Sequence, residues 1–202
     1  MTAEILTALA LFGFVASITP GPNNMMLMSS GLTFGLVATL PHMMGVAIGF
    51  TVMIIAVGVG LGAAFEAVPQ LYTVLKLVSV VYLLVLAWKI AWSGPVGEGA
   101  RAGSRPMTFL AAAAFQWVNP KAWVMAVTAI AAYAPKAAFF TNVLIVSAVF
   151  GIINLPCISA WAMFGTILRR FLHDAKMVRT INMGMALALV ASVYPLLAEF
   201  LE

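Results

Sequence analysis

The stretch ITPGPNNMM, residues 18–26, interrupts a long apolar segment near the start of the chain. A second stretch, FQWVNPKAW at residues 115–123, interrupts another apolar segment, and Pro20 and Pro120 lie 100 positions apart. A helix broken in lipid leaves backbone groups that need partners, so it survives only inside protein or beside a polar cavity. Paired breaks in the two halves of a chain therefore indicate a transport site.

Composition places the chain in a membrane. Of its 202 residues, 64% are hydrophobic and 8% are charged, whereas a soluble domain has roughly 25% charged residues. The mean hydropathy is +1.10. The net charge of +4 does not indicate nucleic-acid binding, because the basic residues are distributed mainly among the loops between apolar segments and do not form one patch. Cys157 is the single cysteine, which excludes an intrachain disulfide.

Six apolar segments are long enough to span a bilayer, since a spanning helix needs about 20 apolar residues. They cover residues 2–33, 36–65, 69–92, 107–133, 138–168 and 180–198. The first and fourth contain the two breaks, and Asn154 with Pro156 is expected to interrupt the fifth. The predicted fold class is therefore all-α, a polytopic membrane protein in which residues 1–202 form a single membrane domain.

The positive charges predict the orientation of these spans. Seven of the ten cations lie in two loops that share a side when there are six spans: Lys89, Arg101, Arg105, Arg169, Arg170, Lys176 and Arg179. The excess of lysine and arginine marks that side as cytoplasmic. We therefore expect a multi-pass protein of the bacterial inner membrane with both termini in the periplasm.

The same orientation predicts internal symmetry. Residues 1–92 and 107–202 are expected to form two inverted three-helix repeats with broken helices one and four, joined by a cytoplasmic linker at 93–106. The glycine pairs Gly31/Gly35 and Gly45/Gly49 predict close helix packing. That packing can lie within one chain or between two, which leaves a homodimer open.

The first break supplies backbone groups for a binding site. Its two prolines cannot donate hydrogen bonds, so a helix is expected to stop near residue 19 and a new one to run from residue 23 to about 31. The opening amides of the new helix carry about half a positive charge. The predicted substrate-binding residues here are Thr19, Pro20, Gly21, Pro22, Asn23 and Asn24.

The second break adds a full charge. Asn119 is a favourable helix N-cap, and Pro120 suits the first helical position. At about 1.5 Å per residue, Lys121 lies roughly 20 Å from either end of its segment, near mid-membrane. A charge at that depth is a functional hypothesis by default. Gln116, one helical turn earlier, is expected to line the same cavity.

Together the two breaks predict a site for a zwitterionic amino acid. Two helix N-termini and Lys121 favour a carboxylate, while the carbonyls freed before the prolines can accept from an ammonium. Two structural alternatives stay open: the breaks are only proline kinks, or Lys121 is a clamp held permanently by backbone carbonyls.

Other polar residues within the spans carry weaker signals. Asn154 is either a substrate contact or a hydrogen bond between helices. His42 is either a proton carrier for coupling, a role also open to Lys121, or an interfacial residue near the cytoplasmic end. No acid lies deep in a span, and no catalytic set or metal-ligand cluster is visible. The sequence therefore predicts neither an enzyme nor a metal site, and no cofactor.

Several stretches together resemble the LysE/RhtB family of amino-acid exporters. They are ITPGPNNMMLMSSG, LPHMMGVAIGF, VVYLLVLAWKIA, FQWVNPKAWVMA, INLPCISAWAMFG and INMGMALALVAS, and they cover nearly the whole chain in order. The resemblance implies a bacterial inner-membrane exporter of amino acids or close derivatives, driven by a proton or ion gradient. It also implies six spans and does not choose among substrates.

The leading hypothesis is secondary active export of a small amino acid across the inner membrane, coupled to the proton gradient. A neutral substrate is favoured, because a mid-membrane lysine with no acid at depth disfavours a dibasic one. The expected partners are this small molecule and the lipid bilayer. The alternative is a passive channel or an ion or metal exporter on the same scaffold.

Overall fold

The computed structural model describes residues 1–61, 67–92, 105–171 and 175–191, and all regular structure within them is helical. The eight α-helices of these ranges are α1 Ala3–Ile18, α2 Pro22–Phe34, α3 Leu36–Ala56, α4 Pro69–Ala91, α5 Phe109–Phe115, α6 Pro120–Tyr133, α7 Phe139–Phe171 and α8 Ala175–Ala191. A π-helical turn at Val57–Leu61 extends α3, and a 3₁₀ turn at Gln116–Val118 separates α5 from α6. The all-α prediction is confirmed.

Both predicted breaks are present, but the interruption expected in the fifth segment is wrong. α7 is one helix of 33 residues that runs through Asn154 and Pro156. A proline removes one backbone hydrogen bond, and the many remaining bonds of so long a helix keep it continuous. Pro41 lies inside α3 in the same way. Residues 93–104 of the predicted linker lie outside the described residues, as do 62–65 and 192–198 of the second and sixth segments.

The helices present an apolar exterior. By length and hydropathy, Leu36–Gly60 and Phe139–Arg169 can each cross a bilayer. α1 and α2 pass the same test together and are bent by 54° at the break between them, which is the geometry of a broken span or of a re-entrant loop. Shorter apolar helices occur at Leu77–Ala91 and Phe109–Val118. Large side chains such as Val37, Leu110 and Ile152 are more than 70% exposed. Such a surface is suited to lipid and not to water.

α7 lies at the centre of the helix packing and contacts α1, α2 and α3, while α3 also packs on α5 and α4 packs on α8. Leu9, Phe50 and Phe150 anchor one buried cluster, and Leu83 with Leu189 belongs to another. The first of these clusters surrounds the region where the two breaks approach each other.

Glycines permit the closest helix contacts. A Cβ atom on Gly31 would collide with the Ala162 carbonyl of α7, and one on Gly165 would collide with the Met28 carbonyl of α2. A Cβ on Gly49 would lie 2.6 Å from the Ala113 Cα of α5. These glycines therefore pack helices together within one chain, as small residues do in membrane proteins.

Two basic residues contact the ends of other helices. The Arg179 guanidinium lies 4.6 Å from the centre of the Trp92 ring, so the start of α8 adjoins the end of α4. Gly35, with φ of 85°, forms the turn between α2 and α3. A Cβ there would lie 3.2 Å from Nη1 of Arg169, near the end of α7.

Candidate functional site

The first break separates α1 from α2. α1 ends at Ile18, and Thr19 has an extended backbone, with φ of −63° and ψ of 143°. α2 begins at Pro22, as expected for proline in a first helical turn, and continues to Phe34. The second helix is thus a few residues longer than predicted.

The carbonyls freed at the end of α1 all have side-chain partners. Asn24 Nδ2 donates to the carbonyl oxygens of Ser17 at 2.9 Å and Thr19 at 2.8 Å. The indole Nε1 of Trp161 on α7 donates to the carbonyl of Ile18 at 3.0 Å. Because unpaired buried carbonyls are costly, these bonds stabilise a break that would otherwise be unfavourable in a membrane.

The second break is built around Asn119. Its side-chain oxygen accepts from the Lys121 backbone N–H at 3.2 Å, which confirms it as the N-cap of α6. Pro120 is the first residue of α6. The 3₁₀ turn before it is held by the Trp123 indole, which donates to the Trp117 carbonyl at 2.9 Å.

Lys121 connects the two breaks. Its Nζ donates to the Thr19 carbonyl at 2.8 Å, to Thr19 Oγ1 at 3.0 Å and to the Pro20 carbonyl at 3.3 Å. The ammonium therefore lies at the negative end of the α1 dipole. Gly21 makes room for it, because a Cβ at that position would lie 2.8 Å from Lys121 Cδ. We call this contact the Lys121 bridge.

A pair of amides joins the breaks a second time. Asn23 Nδ2 donates to Gln116 Oε1 at 2.9 Å, and Gln116 Nε2 donates back to Asn23 Oδ1 at 3.1 Å. Gln116 Nε2 also donates to the Ala112 carbonyl of α5 at 2.9 Å. Gln116 is fully buried, so this pair fixes the spacing between α2 and the second break.

A cavity of about 30 Å³ lies where the two breaks meet. Its lining combines the two helix starts with residues of α1, α3 and α7: Ala16, Ser17, Gly21, Asn23, Asn24, Phe50, Asn119, Lys121, Ala122, Met125, Asn154 and Ile158. A water molecule needs roughly 10–15 Å³ by this measure. In this conformation the cavity therefore has room for about two waters and is smaller than any amino acid.

Two polar side chains of the lining have no hydrogen-bond partner among the described residues. The hydroxyl of Ser17 on α1 is buried and unpaired. Asn154 on α7 is 5% exposed and makes no side-chain hydrogen bond within the same ranges. The other polar lining side chains are all bonded, as described above. Buried unpaired groups are uncommon and call for a specific explanation.

Most residues that the sequence predicts for the site lie at this cavity or touch it. Gly21, Asn23, Asn24, Asn119, Lys121 and Asn154 line it. Thr19 and Pro20 hold the Lys121 ammonium, Gln116 pairs with Asn23, and Pro22 and Pro120 start the two helices.

Half of the lining residues were not predicted from the sequence. Ser17 lies one residue before the quoted break, and a small polar residue in an apolar helix just ahead of a break was a usable signal. Phe50, Met125 and Ile158 carry no such signal, because an apolar residue facing a cavity cannot be told from one facing the core.

His42 lies away from the cavity lining, inside the protein. It is 2% exposed, and neither ring nitrogen has a hydrogen-bond partner among the described residues. Neighbouring helices cover this residue, and both its role as a proton carrier and its position near the cytoplasmic interface stay predictions. Within the described ranges, no three of the His, Cys, Asp and Glu side chains approach each other closely enough to hold a metal ion.

Comparison with known proteins matches this geometry to a family. A family model described as "LysE type translocator" matches residues 14–197, which include both breaks and the whole cavity lining. The chain belongs to the LysE family of translocators. Family membership and the apolar helices together indicate a multi-pass transport protein of the inner membrane.

Curated relatives in this family have the same length. The "Cysteine/O-acetylserine efflux protein" of Salmonella choleraesuis strain SC-B67 is 31% identical over 193 residues, covering 94% of this chain and 96% of the relative. The protein of that name from Escherichia coli strain K12 is 30% identical over 192 residues with the same coverage. No solved structure matches the chain.

Proposed function

We propose that this LysE-family protein exports a small, neutral amino acid or a close derivative by secondary active transport coupled to the proton gradient. The observation that carries the proposal is the cavity between the two breaks, which joins two helix N-termini, a lysine ammonium and the backbone carbonyls to which that ammonium donates. The efflux proteins of similar sequence support an amino-acid substrate.

The substrate's two charges would bind opposite partners in this cavity. Its carboxylate would take the Lys121 ammonium and the amides at the starts of α2 and α6. Its ammonium would donate hydrogen bonds to the Thr19 and Pro20 carbonyls, to which Lys121 donates in this conformation. The lining offers no carboxylate among the described residues, so a cationic side chain would lack a counter-charge. A neutral side chain is therefore favoured.

The conformation described here fits a closed step of the cycle. The cavity is too small for an amino acid, and the Lys121 bridge holds the two breaks together. Substrate would replace that bridge with its own charges while the two halves separate. Alternating access then follows if the two halves, residues 1–92 and 107–202, rock against each other as inverted repeats.

A six-span arrangement with a basic cytoplasmic side completes the proposal. The contact of Arg179 with Trp92, and the position of Arg169 beside Gly35, support placing these helix ends on one side of the membrane. Both termini would then be periplasmic.

His42 and Lys121 are the proposed proton carriers. Histidine can gain and lose a proton near neutral pH, and the unpaired ring nitrogens of His42 leave both positions available for one. Lys121 would instead carry the proton on its own side-chain amine, which donates to the Thr19 and Pro20 carbonyls in this conformation.

Efflux from reconstituted vesicles tests the proposal. Proteoliposomes containing the full chain are loaded with radiolabelled neutral amino acids, and a proton gradient of either direction is imposed. We expect saturable efflux that one gradient direction accelerates and a protonophore cancels. Efflux that ignores the gradient would contradict the coupling. Ion conductance or metal flux without amino-acid selectivity would favour the alternative of a channel or a metal exporter.

A further inference from the structure

Ser17 and Asn154 stand out among the polar residues of the cavity lining because neither side chain makes a hydrogen bond among the described residues. Ser17 is 4% exposed and its hydroxyl has no partner, while Asn154 is 5% exposed and its amide makes no hydrogen bond among the described residues. A folded protein rarely leaves two such groups beside one cavity unless a ligand or water completes them.

Neither residue takes part in the Lys121 bridge, which uses Thr19, Pro20 and the start of α6. Ser17 lies on α1, just before Thr19, and Asn154 lies on α7. α1 and α7 pack directly against each other, with Gly13 beside Phe150.

The remaining wall is apolar and uncharged. It is completed on α1, α3, α6 and α7 by Ala16, Phe50, Ala122, Met125 and Ile158. A hydroxyl and a carboxamide can each both donate and accept a hydrogen bond. Among these apolar neighbours, they suit a short side chain that carries one uncharged heteroatom and disfavour one that is purely hydrocarbon.

We propose that Ser17 and Asn154 form the subsite that recognises the substrate's side chain and selects amino acids carrying a hydroxyl or thiol group over hydrocarbon isosteres. This inference rests on the proposed export function and narrows the proposed substrates from neutral amino acids to those with a polar, uncharged side chain. Lys121 and the helix starts bind the carboxylate and ammonium that all amino acids share. Ser17 and Asn154 contact the side chain, which differs from one amino acid to another.

Matched substrate pairs test the subsite. Full-length protein in proteoliposomes is assayed by counterflow with cysteine against 2-aminobutyrate and with serine against alanine, each pair differing mainly in the heteroatom. We expect wild type to favour the heteroatom member in KM. Each hydrogen bond lost in Ser17→Ala or Asn154→Leu should reduce that preference by roughly threefold to tenfold, without weakening transport of the hydrocarbon member.

Two control variants remove hydroxyls that the cavity does not use. Thr33→Val deletes a second buried, unpaired hydroxyl that is not in the lining. Ser147→Ala deletes a hydroxyl on α7 that donates only to the Val143 carbonyl of its own helix. Neither should change the preference within a pair.

The outcomes separate the subsite from the export function. If wild type transports both members of each pair with equal KM, the subsite proposal fails while export stands. If Ser17→Ala and Asn154→Leu change both members equally in variants of wild-type thermal stability, the two residues only hold water or support the fold, and the proposal is overturned. If wild type carries no amino acid, the export function itself fails and the subsite falls with it.

Discussion

Replacing Lys121 with methionine should weaken amino-acid binding strongly while leaving the fold nearly intact. Methionine keeps most of the apolar length of lysine and removes the ammonium. A hydrogen bond to a charged group contributes about 1.5–3 kcal/mol, and each 1.4 kcal/mol is about tenfold in affinity. We therefore expect Kd for a neutral amino acid to rise by about 10- to 150-fold.

The cost to stability should be smaller than these three bonds suggest. The Thr19 carbonyl keeps its bond from Asn24 when Lys121 is lost, so only the Pro20 carbonyl and Thr19 Oγ1 lose a donor. Thr19 Oγ1 still donates to the Ala16 carbonyl, and Pro20 is exposed outside the cavity lining. A loss of about 1 kcal/mol would lower Tm by about 2–4 °C in a chain of this size.

Binding of radiolabelled substrate to purified protein measures the effect, with Tm recorded in the same detergent. Lys136→Met is the matched control, because Lys136 is an exposed cation outside the cavity. A ligand comparison sharpens the test: wild type should prefer an amino acid to its decarboxylated amine, and Lys121→Met should lose that preference. An unchanged Kd at wild-type Tm would refute the carboxylate role and leave Lys121 as a structural clamp.

Three further predictions concern packing, the first break and coupling. Gly165→Val should lower the free energy of unfolding by about 1–3 kcal/mol, since its Cβ would meet the backbone of Met28. The control Gly184→Ala has nothing within 4 Å of the added Cβ and should not lower Tm in the same thermal scan, because alanine also favours the helix. Asn24→Leu leaves the Ser17 carbonyl without its side-chain donor and should lower the free energy of unfolding by about 1–3 kcal/mol, measured as a lower Tm. An unchanged Tm would show that this hydrogen bond does not stabilise the fold. His42→Gln should remove the response of efflux to an imposed proton gradient while counterflow persists, and a retained response would exclude His42 as the proton carrier.

The local consequences of proline and asparagine were predictable from the sequence. Both breaks, the N-cap at Asn119 and the helix start at Pro22 follow from properties that a residue carries into any fold: a missing donor, a fixed φ and a short accepting side chain. Pro156 shows the limit of that logic. It is equally a proline in an apolar segment, yet α7 continues through it, because a break also needs neighbouring groups that satisfy the freed backbone.

The partners of the site residues depended on tertiary structure. The sequence indicated that freed carbonyls could accept from an ammonium, but not that the ammonium would be the protein's own Lys121. The unpaired hydroxyl of Ser17 also depended on tertiary structure. A serine hydroxyl in a helix usually bonds to a carbonyl of its own helix, so the sequence predicts a paired hydroxyl here. Only the placement of α1 against α7 and the cavity shows that this one is unpaired.

The Thr19 carbonyl explains how substrate could replace the Lys121 bridge at low energetic cost. Its oxygen accepts from both Asn24 and Lys121, each at 2.8 Å. When Lys121 turns to a carboxylate, Asn24 still satisfies that oxygen, so no buried acceptor is orphaned. The Pro20 carbonyl and Thr19 Oγ1 lose a donor at the same moment, and the substrate's ammonium supplies one. An amino acid thus replaces both ends of one internal contact at once, whereas a simple carboxylate or a simple amine replaces only one end.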